Sequence, residues 1–330
     1  MSTPVRAAFR SRGLALVFAL LSLAPAALVA QGSPPKPVFP TLDADAPPGT
    51  GVMRPCLAPL EGVRCGRFRV WEDRAARTGR TIDLAFIVAD AIRPRPSDGD
   101  AVTFFNGGPG SSTTVIAAQA IPFFAALRQR RDLLFLDFRG VGASSNLDCG
   151  VPYPGGVASR FGSVFPLDHI RACRDRLARR ARLDLYTSNH NVDDLEELRQ
   201  WLKYTALNLI GGSYGTREIQ VYLRRHPGSV RTVILKGIAP LFAPIYVHHA
   251  RGLQQALDEL VRECASQATC AAAYPSFGKT VDVVLSRVRR DPPKVEVAGE
   301  TLRFGPGELG YALRGLLYAR AAEVPALLTG

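Results

Sequence analysis

The chain has 330 residues, is 47% hydrophobic and 21% charged, and carries a formal net charge of +12. The length suits one large domain or two ordinary ones, and the composition suits a globular protein with a sizeable core. The charge invites a nucleic-acid partner, most of all over Arg171, Arg174, Arg176, Arg179, Arg180 and Arg182. No nucleic-acid motif accompanies that run, so it reads as a solvated helix face and nucleic acid is excluded as a partner.

Arg6, Arg10 and Arg12 precede LALVFALLSLAPAALVA, and QGSPPKP follows. A basic start, a short apolar stretch and a small-residue exit predict a signal peptide over 1–30, cleaved after Ala30 or, alternatively, after Ala26. Export to the periplasm or the medium is then expected, with no membrane association after cleavage. No later apolar run is long enough to span a bilayer. Six cysteines in an oxidising compartment predict disulfides, and the simplest pairing joins sequence neighbours: Cys56 with Cys65, Cys149 with Cys173, and Cys264 with Cys270. No cysteine or histidine cluster has zinc spacing, so no metal is expected.

Residues 31–62, rich in proline and small residues, read as an extended leader. VRCGRFRVWED (63–73) and TIDLAFIVAD (81–90) read as paired strands with a turn near Thr78-Gly79. DAVTFFNGGPG (100–110) is a short apolar strand running into a glycine loop. Helical spacing follows over 111–128, and DLLFLDFRG (132–140) is a strand apolar on both faces. NVDDLEELRQWLKY (191–204) reads as an amphipathic helix with acids in its first turn, where they favour the helix dipole. Then come a strand over 207–210, a helix over 214–225 and a strand over 230–237. Apolar strands alternating with helices predict a mostly parallel sheet covered on both faces, spanning 63–247. From 248 to 330 the pattern turns helical, as in RGLQQALDELVREC (251–264) and VDVVLSRVRR (281–290), with no further core-type strand.

Gly211-Gly212-Ser213-Tyr214-Gly215 lies between an apolar strand and an amphipathic helix. Gly211 and Gly215 let the backbones pass closely, so Ser213 stands exposed at the helix start as a candidate nucleophile, with the Tyr214 N–H aimed at a developing oxyanion. Asn106-Gly107-Gly108-Pro109-Gly110 also follows a strand. It has neither the Lys-Ser/Thr ending of a phosphate loop nor dinucleotide spacing, so no cofactor is implied. It reads instead as the second half of an oxyanion hole, with Gly107 and Gly110 shaping the loop and the Gly108 N–H as donor, worth about 3 kcal/mol. Asp137-Phe138-Arg139-Gly140-Val141-Gly142-Ala143-Ser144 reads as a structural ion pair and turn.

In order and spacing, these three motifs resemble the α/β-hydrolase fold, and in detail its proline iminopeptidase and secreted tripeptidyl aminopeptidase group. The resemblance covers roughly residues 50 to 290. It implies a secreted serine peptidase that acts on peptides with a free N-terminus, with a helical cap that selects the free amine. Asn106 departs from the group's histidine, and Lys236 stands where an acid is common.

The resemblance also implies an acid and then a histidine after the serine. Only His226, His248 and His249 follow Ser213. His226 closes the elbow helix ~18 Å away, and the other two lie where the cap begins. His169 and His190 precede the serine. The later acids Asp258, Glu259, Glu263, Asp282, Asp291, Glu296, Glu300, Glu308 and Glu323 all fall in the cap-like region. The acid and histidine are therefore not identifiable in this chain. The chain is expected to be the N-terminal portion of a hydrolase that lacks its C-terminal core strands, inactive alone and left with an open sheet edge prone to aggregation. A missing C-terminal portion of the same enzyme is the implied partner. The alternatives are an esterase or lipase on the same fold and a non-catalytic binding protein of hydrolase fold.

Overall fold

The computed structural model describes residues 37–329 apart from 57–61, 95–98, 151–165, 245–246 and 298. The signal-peptide reading of residues 1–30 lies outside the described residues. Those described within 34–150 and 170–244 form one compact unit, and those within 151–169 and 245–330 a second.

The first unit is built on a sheet of seven strands: β1 (Gly51–Pro55), β2 (Val63–Trp71), β3 (Thr81–Ala89), β4 (Asp100–Phe105), β5 (Leu133–Leu136), β6 (Ala206–Gly212) and β7 (Val230–Lys236), in the order β1-β2-β3-β5-β4-β6-β7. The pairs from β1 through β3 to β5 are antiparallel, and β5-β4, β4-β6 and β6-β7 are parallel. β1 lies inside the stretch read as an extended leader. The sheet therefore begins before Val63, and Cys56 bonds to Cys65 just where β1 meets β2. The other two expected disulfides, Cys149–Cys173 and Cys264–Cys270, also form.

Alternation within the strands feeds two cores. Leu134 and Leu136 join Phe68, Leu84 and Phe86 on one face, against helix α4 (Ser188–Trp201) and helix α5 (Gly215–Arg225). Leu133 and Phe135 join Val63, Ile87 and Val102 on the other, against Ala117 and Ile121. β5 is buried on both faces, as its continuous apolar run requires. Gly66 is required by packing: a Cβ there would sit 2.1 Å from the Phe86 ring. β7 is the sheet edge among the described residues, and its Ile234 is 57% exposed.

Two helices depart from the sequence reading. The helical stretch over 111–128 begins only at Ala117 and is broken at Phe124 into α1 (Ala117–Phe123), which contains Pro122, and α2 (Ala125–Arg128). The loop before it is taken up by a buried carboxylate described below. Helix α3 (Leu167–Ala178) carries several of the clustered arginines. α4 starts at Ser188, three residues earlier than its acidic pattern suggests. Its first turn holds no acid, and Asp193 and Asp194 serve as ion-pair partners rather than dipole acids.

The second unit contains α6 (His249–Ser266), α7 (Ala268–Ala273), α8 (Phe277–Arg290), the antiparallel hairpin β8 (Lys294–Val297) and β9 (Glu300–Arg303), α9 (Pro306–Ala319) and α10 (Val324–Thr329). Its own core gathers Leu257, Phe277, Val281, Val288, Leu309, Leu313, Leu316 and Val324. The hairpin departs from the helical reading of 248–330, because β8 and β9 satisfy each other's backbone groups, while α9 continues the helical pattern; Glu308 Oε2 accepts the Gly305 N–H at 2.8 Å and caps α9. Among the described residues, no helix is long and apolar enough to cross a membrane.

Candidate active site

In the parallel pairing of β4 with β6, Phe105 lies opposite Gly211. The loops that leave these strands therefore start side by side at the carboxyl edge of the sheet, where open α/β sheets hold their ligands. One loop is Asn106–Gly110 and the other carries Ser213.

Ser213 has φ +53°, a left-handed conformation that costs a non-glycine residue roughly 1–2 kcal/mol. Local bonds hold it there. The Ser213 N–H donates to Lys236 O at 2.9 Å. The Ser213 carbonyl accepts from the Thr216 N–H at 3.0 Å and from Thr216 Oγ1 at 2.6 Å. Lys236 thus contributes a backbone carbonyl to the elbow. The elbow glycines are needed for close approach. A Cβ on Gly215 would fall 2.1 Å from Phe105 O, and one on Gly211 2.6 Å from Ile219 Cδ1.

The glycine loop faces the serine. A Cβ on Gly107 would lie 3.1 Å from Ser213 Cβ and 3.6 Å from its Oγ. Asn106 braces this loop: its Oδ1 accepts the Gly107 N–H at 2.8 Å and its Nδ2 donates to Ser112 O at 3.1 Å. Gly108 (φ +120°) and Gly110 (φ +87°) adopt conformations that favour glycine. Among the described residues, neither the Gly108 N–H nor the Tyr214 N–H donates a hydrogen bond. Two backbone donors, one from each loop, are thus left without a protein acceptor.

The Asp137-to-Ser144 segment supports the chain that follows the glycine loop. Its two charges do not pair with each other. The fully buried Asp137 carboxylate accepts from the N–H groups of Thr113, Thr114 and Ala143 and from the Ser112 and Thr114 hydroxyls. Gly142 makes room for it, since a Cβ there would be 2.2 Å from Asp137 Oδ2. Arg139 turns instead to Asp194 of α4. Ser144 Oγ donates to Asp137 O and accepts the Ala85 N–H, tying the turn to β3.

A pocket of about 240 Å³ opens beside the serine, lined in part by Gly107, Pro109, Tyr214, Arg139, Asn191 and Glu218. Glu218, one helical turn beyond the elbow, was missed among the acids that follow Ser213. Sequence spacing could have found it, because it shares the elbow helix with the serine. Burial pushes its carboxyl up from the usual range, against hydrogen bonds from Ser188 and Asn191 that lower it.

The histidines of this unit are engaged elsewhere. His226 ends α5 with Nε2 2.8 Å from Asp193 Oδ1. His190 Nδ1 lies 2.9 Å from Thr187 Oγ1, and burial lowers its pKa. Among the described residues no histidine is hydrogen-bonded to Ser213, and no group of His, Cys, Asp or Glu is arranged to hold a metal.

A family model for the alpha/beta hydrolase fold matches residues 100–273, more than half of the chain. Over 191 residues the chain is 27% identical to tripeptidyl aminopeptidase of Streptomyces lividans, covering 53% of this chain and 35% of that protein. The tripeptidyl aminopeptidase of Streptomyces coelicolor matches to the same extent. The chain spans about a third of the length of these curated relatives. Among solved structures, proline iminopeptidase from Mycobacterium smegmatis aligns with a TM-score of 0.34 at 16% identity, covering 73% of this chain and 66% of that one. An alpha/beta hydrolase from a Medee basin deep-sea metagenome aligns with a TM-score of 0.33 at 14% identity, covering 75% and 68%. With the strand–serine–helix elbow, the parallel sheet and the matched family model together, the chain belongs to the α/β-hydrolase fold family.

Proposed function

We propose that the protein is an exported serine hydrolase that acts at the N-terminal end of peptides, with Ser213 as nucleophile and the Gly108 and Tyr214 N–H groups as oxyanion donors. The observation that carries this reading is Ser213 itself, held at φ +53° against Gly107 between two loops with unused N–H donors. In this scheme Ser213 Oγ attacks a carbonyl carbon, and the carbonyl oxygen takes up the electron pair and moves between the two N–H groups. The serine proton needs a base. His226 and His190 both have other hydrogen-bond partners, so neither is placed to take that proton in this structure. The weak similarity to two tripeptidyl aminopeptidases favours a peptide substrate.

The test is a fluorophosphonate probe followed by peptide mapping, with Ser213→Ala as control. Labelling on Ser213 that is slow and speeds up with rising pH is expected. Rapid stoichiometric labelling would show that a base is already in place. Labelling elsewhere, or none on Ser213 at any pH, overturns the assignment. Comparing an aminoacyl amide with a simple p-nitrophenyl ester separates peptidase from esterase.

A further inference from the structure

Glu218 is only 4% exposed and lies just over one helical turn beyond Ser213 on α5. Its Oε1 accepts from Ser188 Oγ at 2.9 Å and from Asn191 Nδ2 at 3.3 Å, both at the start of α4. Two buried atoms of this contact have no hydrogen-bond partner, Glu218 Oε2 and Asn191 Oδ1. A carboxylate oxygen and an amide oxygen are both acceptors, so an ionised Glu218 leaves each of them without a donor. Turning the Asn191 amide over moves the fault without curing it, because its oxygen would then meet Oε1.

A protonated carboxyl changes the count. It has one O–H to give, and Asn191 Oδ1 is the acceptor left over on the amide it already touches. Nδ2–H to Oε1 and Oε2–H to Oδ1 close a ring of two hydrogen bonds between two planar head groups, and both orphaned atoms are satisfied at once. Protein interiors rarely leave such atoms unpaired.

The surrounding groups leave the neutral form undisturbed. Arg139, the one arginine on the pocket wall, is committed to Asp194, and Arg217 of α5 donates to the carbonyls of Pro240, Leu241 and Ala243. On α4, His190 meets Thr187 Oγ1, Asp193 holds Arg225 and His226, Asp194 also pairs with Arg74, and Glu196 holds Arg199 and Tyr222. The phenols on the pocket wall are Tyr214 and Tyr186, and the latter donates to Glu72. Strands β4, β6 and β7 carry titratable side chains only at Asp100, Arg231 and Lys236, and the first two pair with each other. Burial raises the Glu218 pKa against the Ser188 and Asn191 bonds, which favours the same neutral form.

We propose that Glu218 is held neutral and donates Oε2–H to Asn191 Oδ1, an acid–amide pair that locks the first turns of α5 and α4 together and so positions Ser213 and the Tyr214 N–H. The pair stands by itself; its positioning role rests on the reading of Ser213 as nucleophile. Ionisation removes the O–H and turns a bond into a contact between acceptors. A carboxyl whose folded-state pKa is raised gives its full stability below the unfolded value of about 4.3 and loses it as the pH climbs from there through the folded value.

The experiment uses the full 330-residue chain. Glu218 is followed by 13Cδ NMR, with its signal identified by Glu218→Gln, and urea midpoints and fluorophosphonate labelling rates are measured for both proteins from pH 4.5 to 8. A Glu218 titration midpoint above the ordinary glutamate value of about 4.3 is expected. Glutamine carries an amide N–H in place of the O–H and keeps both bonds of the ring at every pH. The urea midpoint of Glu218→Gln should therefore gain on that of wild type as the pH rises. Its labelling rate relative to wild type should grow about threefold or more between pH 5 and pH 8. A Glu218 midpoint at or below about 4.3, or a difference in urea midpoint that stays constant with pH, overturns the pair. Should the variant not fold, assignment through the Glu218 backbone amide keeps the wild-type titration decisive. A confirmed pair with a constant labelling ratio overturns the positioning role. Absence of labelling on Ser213 overturns the hydrolase reading and the positioning role with it, while the titration and the urea midpoints still decide the pair.

Discussion

Arg139 and Asp194 form a fully buried, two-pronged ion pair, with Nε 2.8 Å from Oδ2 and Nη2 2.7 Å from Oδ1 and neither side chain exposed. Arg139 spends its remaining donors on the carbonyls of Glu72, Leu185 and Trp71. One guanidinium thus joins the turn after β5, the end of β2 and helix α4. Asp194 also pairs with Arg74, but removing Asp194 strands the Arg139 charge in a dry site, which costs about 3–5 kcal/mol. Asp194→Ala should lower the urea midpoint accordingly; a loss under about 1 kcal/mol would mean water reaches the pair.

Gly215 is the tightest contact of the elbow. Its added Cβ would strike Phe105 O at 2.1 Å and Asn106 O at 2.8 Å, both backbone atoms that cannot swing away. Gly215→Ala should therefore push α5 off β4, destabilise by about 1–3 kcal/mol and abolish fluorophosphonate labelling of Ser213. Gly212 has nothing within 4 Å of its added Cβ, so Gly212→Ala should come out close to wild type in urea unfolding. Equal effects at the two positions would refute the close-approach explanation.

The left-handed backbone at Ser213 predicts a stability difference between two variants that both lack the hydroxyl. Ser213→Gly removes the Cβ that makes φ +53° costly, while Ser213→Ala keeps it. The glycine variant should be the more stable by about 1 kcal/mol, read as a shift in chemical denaturation midpoint. The elbow would be unstrained if the alanine variant proved as stable.

Glu196 gives the protein an acid limb. Burial works to raise its pKa, but hydrogen bonds from Arg199, Tyr222 and Gln200, together with the charge of Arg199, outweigh burial and hold it at about 2. A carboxylate depressed in this way adds its stability above the unfolded-state value and loses it as the pH falls toward 2. The contribution is on the order of 3 kcal/mol. Urea midpoints measured at pH 7, 4 and 2.5 should fall most steeply below pH 4.5, and Glu196→Gln should flatten that fall. An unchanged slope in the variant would assign the acid limb to other groups.

The succession of strands and helices along the chain from β2 to β7, the elbow and the glycine loop could be read from the sequence because each rests on local physics. Apolar alternation sets which faces of β2 and β3 are buried, and only glycine fits where Gly211 and Gly215 let two backbones approach. The disulfides also followed sequence proximity. The start of α4 was harder. Its apolar positions fit the helix from Asn191 onward, but the turn before it was set by contacts to Glu72 and Glu218 from elsewhere in the chain. β1 was hidden in a proline-rich stretch because pairing with β2, rather than its own composition, makes it a strand.

By itself the sequence determined which serine sits at the elbow and which glycine loop leaves a strand of the same sheet, since both follow from strand–turn–helix geometry at two short motifs. The tertiary structure alone decided what surrounds them. It sent Arg139 to Asp194 rather than Asp137, engaged His226 with Asp193, and set Glu218 against Asn191 with an oxygen to spare. These are contacts between α4, α5 and the sheet, fixed by how separate elements pack, and no spacing along one element encodes them.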